Sequence, residues 1–116
     1  MTAPSTELTA FHTILSRLAA AGIHCTIESD GKTAGETWAA YHFADTSHVT
    51  WGAYSDTGAE NSATHPVTSH GYLNAFHTTD EADEYHLFDT GDFDRDAAEL
   101  TTWITKLAAD HGRTRQ

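Results

Sequence analysis

Nine carboxylates fall between Asp80 and Glu99, opposed by one cation, Arg95, so this segment carries −8 of the chain's net −11. Asp92, Asp94 and Asp96 recur at every second position. In an extended strand, alternate carboxylates would stand about 6.6 Å apart, from a rise of roughly 3.3 Å per residue. Two nucleotide steps of about 3.4 Å each cover the same distance. The pattern therefore suits a phosphate mimic that fills the Lys/Arg groove of a nucleic-acid-binding protein. The contact set expected on this reading is Asp83, Glu84, Asp89, Asp92, Asp94, Asp96 and Glu99. The same acids have two ordinary uses, keeping a turn solvated and stabilising a helix N-terminus.

Other chemistry is thinner. Asp89-Thr90-Gly91-Asp92-Phe93-Asp94 alternates carboxylates around a glycine, but lacks the ordered positions and terminal glutamate of a calcium loop. Among nine histidines, His65, His70 and His77 are spaced by intervals that match no zinc signature. His42 and His86 would meet only if their strands were neighbours. The pattern Tyr41-His42-x-x-Asp45-Thr46 returns as Tyr85-His86-x-x-Asp89-Thr90, which reads as similar strand-end chemistry rather than a duplication. No nucleophile elbow, P-loop, dinucleotide fingerprint or zinc-protease helix is present. Ser69-His70-Gly71 has no catalytic meaning without geometry. No catalytic residue, metal or cofactor is expected.

The charge balance sets the partner class. Seventeen acidic against six basic residues disfavour direct contact with nucleic acid or an anionic membrane, because such contact neutralises phosphates. A basic protein is the favoured partner, drawn in by long-range steering. Protonation of the histidines would cancel most of the charge, so solubility and charge-driven binding should both fall between about pH 7 and 5. The lone Cys25 excludes an internal disulfide; alternating with Ile23 and Ile27, it reads as a core thiol. Two lysines with abundant Ala and Thr suggest a high-GC genome, such as an actinobacterium or its phages and plasmids. No signal peptide or membrane span is visible, and a cytoplasmic location is expected.

The elements that must position these groups follow from periodicity. At 116 residues, one domain is expected. Ser5 can cap a first helix over about 6–21, with Glu7 in its first turn; its stripe is Leu8, Phe11, Ile14, Leu15 and Leu18, and Gly22 ends it. Ile23, Cys25 and Ile27 alternate as a first strand with one face inward. Asp30-Gly31 and Gly35 mark a turn. Strands follow over Thr37–Ala44, His48–Ser55, Gly71–Thr78 and Tyr85–Asp89, with a long polar loop at 56–70. Asp94 or Asp96 caps the last helix, whose stripe is Ala97, Leu100, Trp103, Ile104 and Leu107. Gly112 ends it, leaving a short tail at 113–116.

Short links between strands favour hairpins. Two amphipathic helices then pack on one face of an antiparallel sheet of about five strands, an α+β fold. The opposite face would carry aromatics and could serve a homodimer or a partner. In size, charge and its Asp80–Glu99 cluster the chain is similar to small acidic accessory proteins of phages and plasmids, including anti-CRISPR and anti-restriction DNA mimics. It also looks like the acidic immunity proteins that neutralise basic nucleases. Its helix–strands–helix order is similar to the dimeric chaperones of type III secretion, without their middle helix. The expected function is a non-enzymatic inhibitor that blocks a basic nucleic-acid-binding target. The alternatives are a dimeric interaction protein using its sheet face, and a small His- or metal-dependent enzyme.

Overall fold

The computed structural model describes residues 9–29, 37–56 and 65–112. The expected Ser5 cap, the turn at Asp30-Gly31 and Gly35, most of the 56–70 loop and the 113–116 tail lie outside the described residues.

Helix α1 spans Ala10–Ala20, and α2 spans Phe93–His111. Between them run β1 (Thr26–Ser29), β2 (Thr37–His42), β3 (His48–Ser55), β4 (His70–Thr78) and β5 (Asp83–Phe88). The strands form one antiparallel sheet in the order β1-β2-β3-β4-β5. This is the expected α+β arrangement, with both helices packed on one face. No described helix is long and apolar enough to cross a membrane.

The two helix stripes explain the packing. Phe11, Ile14 and Leu18 of α1 are fully buried, as are Ala97, Leu100 and Ile104 of α2. Their spacing of three and four residues keeps them on one side of each helix. They meet the inward side chains of the sheet, Val49, Trp51 and Ala53 on β3 and Leu73 and Ala75 on β4. Trp51 pairs across the strands with Ala39 on one side and Ala75 on the other. The two alanines leave room for the indole, and Phe11 closes over it at 5.1 Å between ring centroids.

Both helices end on a glycine in the left-handed region, Gly22 (φ 87°) and Gly112 (φ 91°), where a side chain would be strained. Beyond that stop, the carbonyls of His111 and Gly112 accept from the backbone N–H of Asp45 and Ala44. The end of α2 is thereby fixed to the β2–β3 turn.

Three expectations need correction. The first strand starts later and does not bury one side: Ile23 is buried before β1, Cys25 is half-buried, and Ile27 is 56% exposed. Ile27 shares the helix side with Ala39, but the helices pack chiefly over β3, β4 and β5 and leave the β1 edge bare. Helix α1 is capped by Thr9, whose hydroxyl accepts from His12 N–H. Helix α2 is capped by Asp92, which accepts from Arg95 N–H, rather than by Asp94 or Asp96.

Candidate functional site

Strand β5 is outermost in the sheet, and it connects the two halves of the acidic segment. The β4–β5 turn holds Asp80 and Glu81, and Asp83 and Glu84 open the strand. Asp89, Asp92 and Asp94 follow its far end, roughly 20 Å away at about 3.3 Å per residue. The acids thus form two groups at opposite ends of one strand, not a continuous row. The even spacing expected for Asp92, Asp94 and Asp96 is lost because Asp94 and Asp96 lie in the first helical turn. Two residues along a helix rotate a side chain by about 200°, so these two carboxylates face opposite ways.

The seven expected contact residues therefore differ in availability. Asp94 faces solvent and pairs with Arg17 at 2.6 Å. Glu99 lies 3.5 Å from Arg95, one helical turn away. Glu84 accepts from His86 at 3.2 Å. Asp83, Asp89 and Asp92 are exposed and have no cation within ion-pair distance among the described residues. Asp96 is fully buried and is removed from any partner surface. Its Oδ1 accepts from the N–H and hydroxyl of Thr90, at 2.9 and 2.8 Å, and its Oδ2 meets His70 Nε2 at 2.6 Å.

An apolar surface lies beside the carboxylates. Side chains on the side of the sheet away from the helices include Trp38, Thr50, Tyr54, Tyr72, Phe76, Tyr85 and Leu87, as the register and the buried inner residues require. Tyr54 and Tyr72 stack at 4.8 Å and Phe76 contacts Tyr85 at 4.9 Å. Phe76, Tyr85 and Leu87 are 39%, 51% and 50% exposed. The most exposed part of this face is therefore at β5, between the two acidic groups.

On the helix side of β5, His86 packs on Trp103 at 4.6 Å and Phe88 lies 6.0 Å from the same ring. Trp103 belongs to a shallow depression of about 400 Å³ on α2, lined also by Arg95, Ala98, Glu99, Thr102 and Lys106. Periodicity placed Trp103 in the core stripe. At the margin of that stripe it is only half-buried, and its ring reaches across to the side chains of β5.

The histidines do not assemble a metal site, and no group of three or more ligating side chains occurs among the described residues. His42 shares the open face with His48, their rings 5.2 Å apart, whereas His86 faces α2. Strands β2 and β5 are separated by two others, so the repeated Tyr-His-x-x-Asp-Thr pattern builds no common site. The two copies also bond differently. Asp45 accepts from Ser47, while in the second copy Thr90 bonds to Asp96.

One polar cluster was not legible in the sequence. Asp45 Oδ1 accepts from the Ser47 N–H and hydroxyl, at 2.9 and 2.6 Å, and Oδ2 meets His111 Nδ1 at 2.5 Å. Buried His77 lies 3.2 Å from Ser47 Oγ and 4.7 Å from the His111 ring. Asp-Thr-Ser hints at the turn, but His77 and His111 arrive from 30 and 64 residues beyond Ser47. The carboxylate is bonded to the serine and to His111, whereas a nucleophile–base–acid relay requires it on the histidine that holds the serine. The cluster instead clamps a turn in which Thr46 has φ 77°, a strained value for a β-branched residue.

The cluster makes stability pH-dependent. Its hydrogen bonds to Ser47, and then to His111, hold the Asp45 carboxyl at about 2. Burial, then the neighbouring His111, keeps His77 below its ordinary value. Both shifts have the same sign of consequence, since the unfolded chain binds more protons at each group. The His77 contribution is present at neutral pH and is lost as pH falls from about 6.5 through its folded value. The Asp45 contribution is lost between about pH 4 and 2. Urea midpoints should therefore fall between about pH 7 and 5. The drop should flatten in His77→Gln, which keeps a hydrogen-bond partner for Ser47; an unchanged slope in that variant would place the dependence elsewhere.

No family model, curated protein or solved structure matches this chain.

Proposed function

We propose that the chain is a non-enzymatic acidic binding protein. It covers a lysine- and arginine-rich surface of a nucleic-acid-binding protein, as inhibitors of the anti-CRISPR, anti-restriction or immunity kind do. The observation that supports this reading is the surface at β5. There, exposed Phe76, Tyr85 and Leu87 stand between two groups of carboxylates that include uncompensated Asp83, Asp89 and Asp92. Carboxylates of this kind steer a basic partner and set its on-rate, while desolvated apolar anchors set its residence time. A second copy is a poor occupant, because it would bring another −11 to an already acidic face. The partner is thus a basic protein, with no nucleic acid or membrane in direct contact.

Two variants test the reading. The first is Asp83→Asn, Asp89→Asn and Asp92→Asn combined; asparagine retains the helix cap at position 92. The second is Tyr85→Ser with Leu87→Ser. Wild type and both variants are used to capture basic nucleic-acid-binding proteins from host lysate at low and high salt. The captured partner is then purified for rate measurements. The charge variant should associate about ten- to a hundredfold more slowly and lose its salt dependence. The face variant should dissociate faster with the salt dependence unchanged. Duplex DNA should displace the wild-type protein where its carboxylates occupy phosphate sites. Equal capture by all three proteins would remove the reading.

A further inference from the structure

We infer that the free edge of β5 receives an extended basic segment of the partner as an added strand, with an apolar side chain of that segment seated against Trp103. The inference rests on the basic-partner reading and adds to it the mode of recognition.

Strand β5 pairs on one side only, with β4. Every second residue of Asp83–Phe88 therefore turns its N–H and C=O outward, and no other described backbone group bonds to them. Such a row is a template for another strand. The opposite edge, β1, is shorter, at four residues against six.

A strand added about 4.8 Å outside β5 would find a prepared surface on both of its faces. Side chains on the open side would meet Tyr85 and Leu87, which are about half exposed. Side chains on the other side would meet the half-buried Trp103 of α2, whose ring already packs on His86 and Phe88 of β5. Alternation along a strand sends successive side chains to these two surfaces in turn.

Charge selects the occupant. Asp83 and Glu84 stand at one end of the edge and Asp89 follows the other, so lysine or arginine is favoured at both ends of the incoming segment. A second copy of this chain is disfavoured by the same charges. Antiparallel pairing of two β5 edges would set the Asp83–Glu84 end of one against the Asp89 end of the other, which costs like-charge repulsion at both ends.

The test uses the full chain and a synthetic heptapeptide with lysine at both ends and leucine and valine between. A second peptide has the same sequence with its central backbone amides N-methylated. Its charge and side chains are kept, but it cannot donate to a strand ladder. Affinity is read by fluorescence anisotropy, and amide hydrogen exchange is read residue by residue. The expected result is binding of the first peptide, new protection at alternate amides of β5, and at least about tenfold weaker binding of the methylated peptide. Trp103→Ala, checked for retained fold by circular dichroism, should also weaken the first peptide. Equal, salt-sensitive binding of both peptides would overturn strand addition and leave the basic-partner reading in place. Binding of neither would also overturn strand addition, with the basic-partner reading then decided by the capture experiment alone. Protection at β1 instead of β5 would overturn the assignment of the edge.

Discussion

Asp96→Ala is expected to destabilise the fold by about 3–5 kcal/mol, the usual result of removing one partner from a buried polar pair. Asp96 is fully buried and its two oxygens serve three donors or ring atoms, Thr90 N–H, Thr90 hydroxyl and His70 Nε2. Alanine would leave the Thr90 N–H without its acceptor. It would also strand His70, whose Nδ1 is buried with no other hydrogen-bond partner and whose side chain is 3% exposed. A domain has only about 5–15 kcal/mol in total, so the variant should be largely unfolded at modest urea. Asp96→Asn keeps an oxygen for Thr90 and should lose only about 1–2 kcal/mol. Urea denaturation of the three proteins decides the matter, and a loss below about 1 kcal/mol in the alanine variant would contradict it. The result also bears on function. Asp96 braces the turn from β5 into α2, so its loss should disturb the positions of Asp89 and Asp92 without removing a charge from the surface.

Trp51→Ala should be comparably severe, at about 3–5 kcal/mol for a large aromatic removed from a packed core. Trp51 is 1% exposed and has only the small side chains of Ala39 and Ala75 as its cross-strand neighbours. Neither alanine can fill the space, and Phe11 would lose its ring contact. A second readout is available in Cys25. Burial pushes its thiol above the ordinary value, and the neighbouring Trp51 side chain offsets part of that rise. With Trp51 gone, a thiol reagent should modify Cys25 faster under native conditions. An unchanged midpoint with an unchanged labelling rate would mean that the core closes over the gap. Trp51→Phe provides the intermediate case, retaining a ring against Phe11.

The open sheet face and the acidic edge make different demands on solution conditions. On the proposed reading, contacts of Asp83, Asp89 and Asp92 with a basic partner would weaken as salt screens exposed charges. Burial of Tyr85 and Leu87 does not weaken in the same way. A partner held by both should therefore bind more slowly at high salt while retaining much of its residence time. Acidification from about pH 7 to 5 would work against the proposed complex twice, by reducing the net negative charge as histidines protonate and by loosening the contact of His77 with Ser47.

Periodicity alone determined the element order, the five strands and the buried stripes of both helices. Phe11, Ile14 and Leu18, or Leu100 and Ile104, have one way to share a helix face, and Val49, Trp51 and Ala53 one way to share a strand face. The density of carboxylates between Asp80 and Glu99 was equally plain. Tertiary structure decided what each of those groups can do. A carboxylate's role depends on which way its Cα–Cβ bond points once a helix begins, so Asp94 reaches solvent while Asp96, two residues on, is enclosed with His70. Cross-strand order separated His42 from His86 and divided the acids between the two ends of β5. It also brought Asp45, Ser47, His77 and His111 together across 66 residues of chain. Such contacts arise from strand pairing and helix docking, which act through space, whereas spacing along a chain constrains only the side chains of a single element.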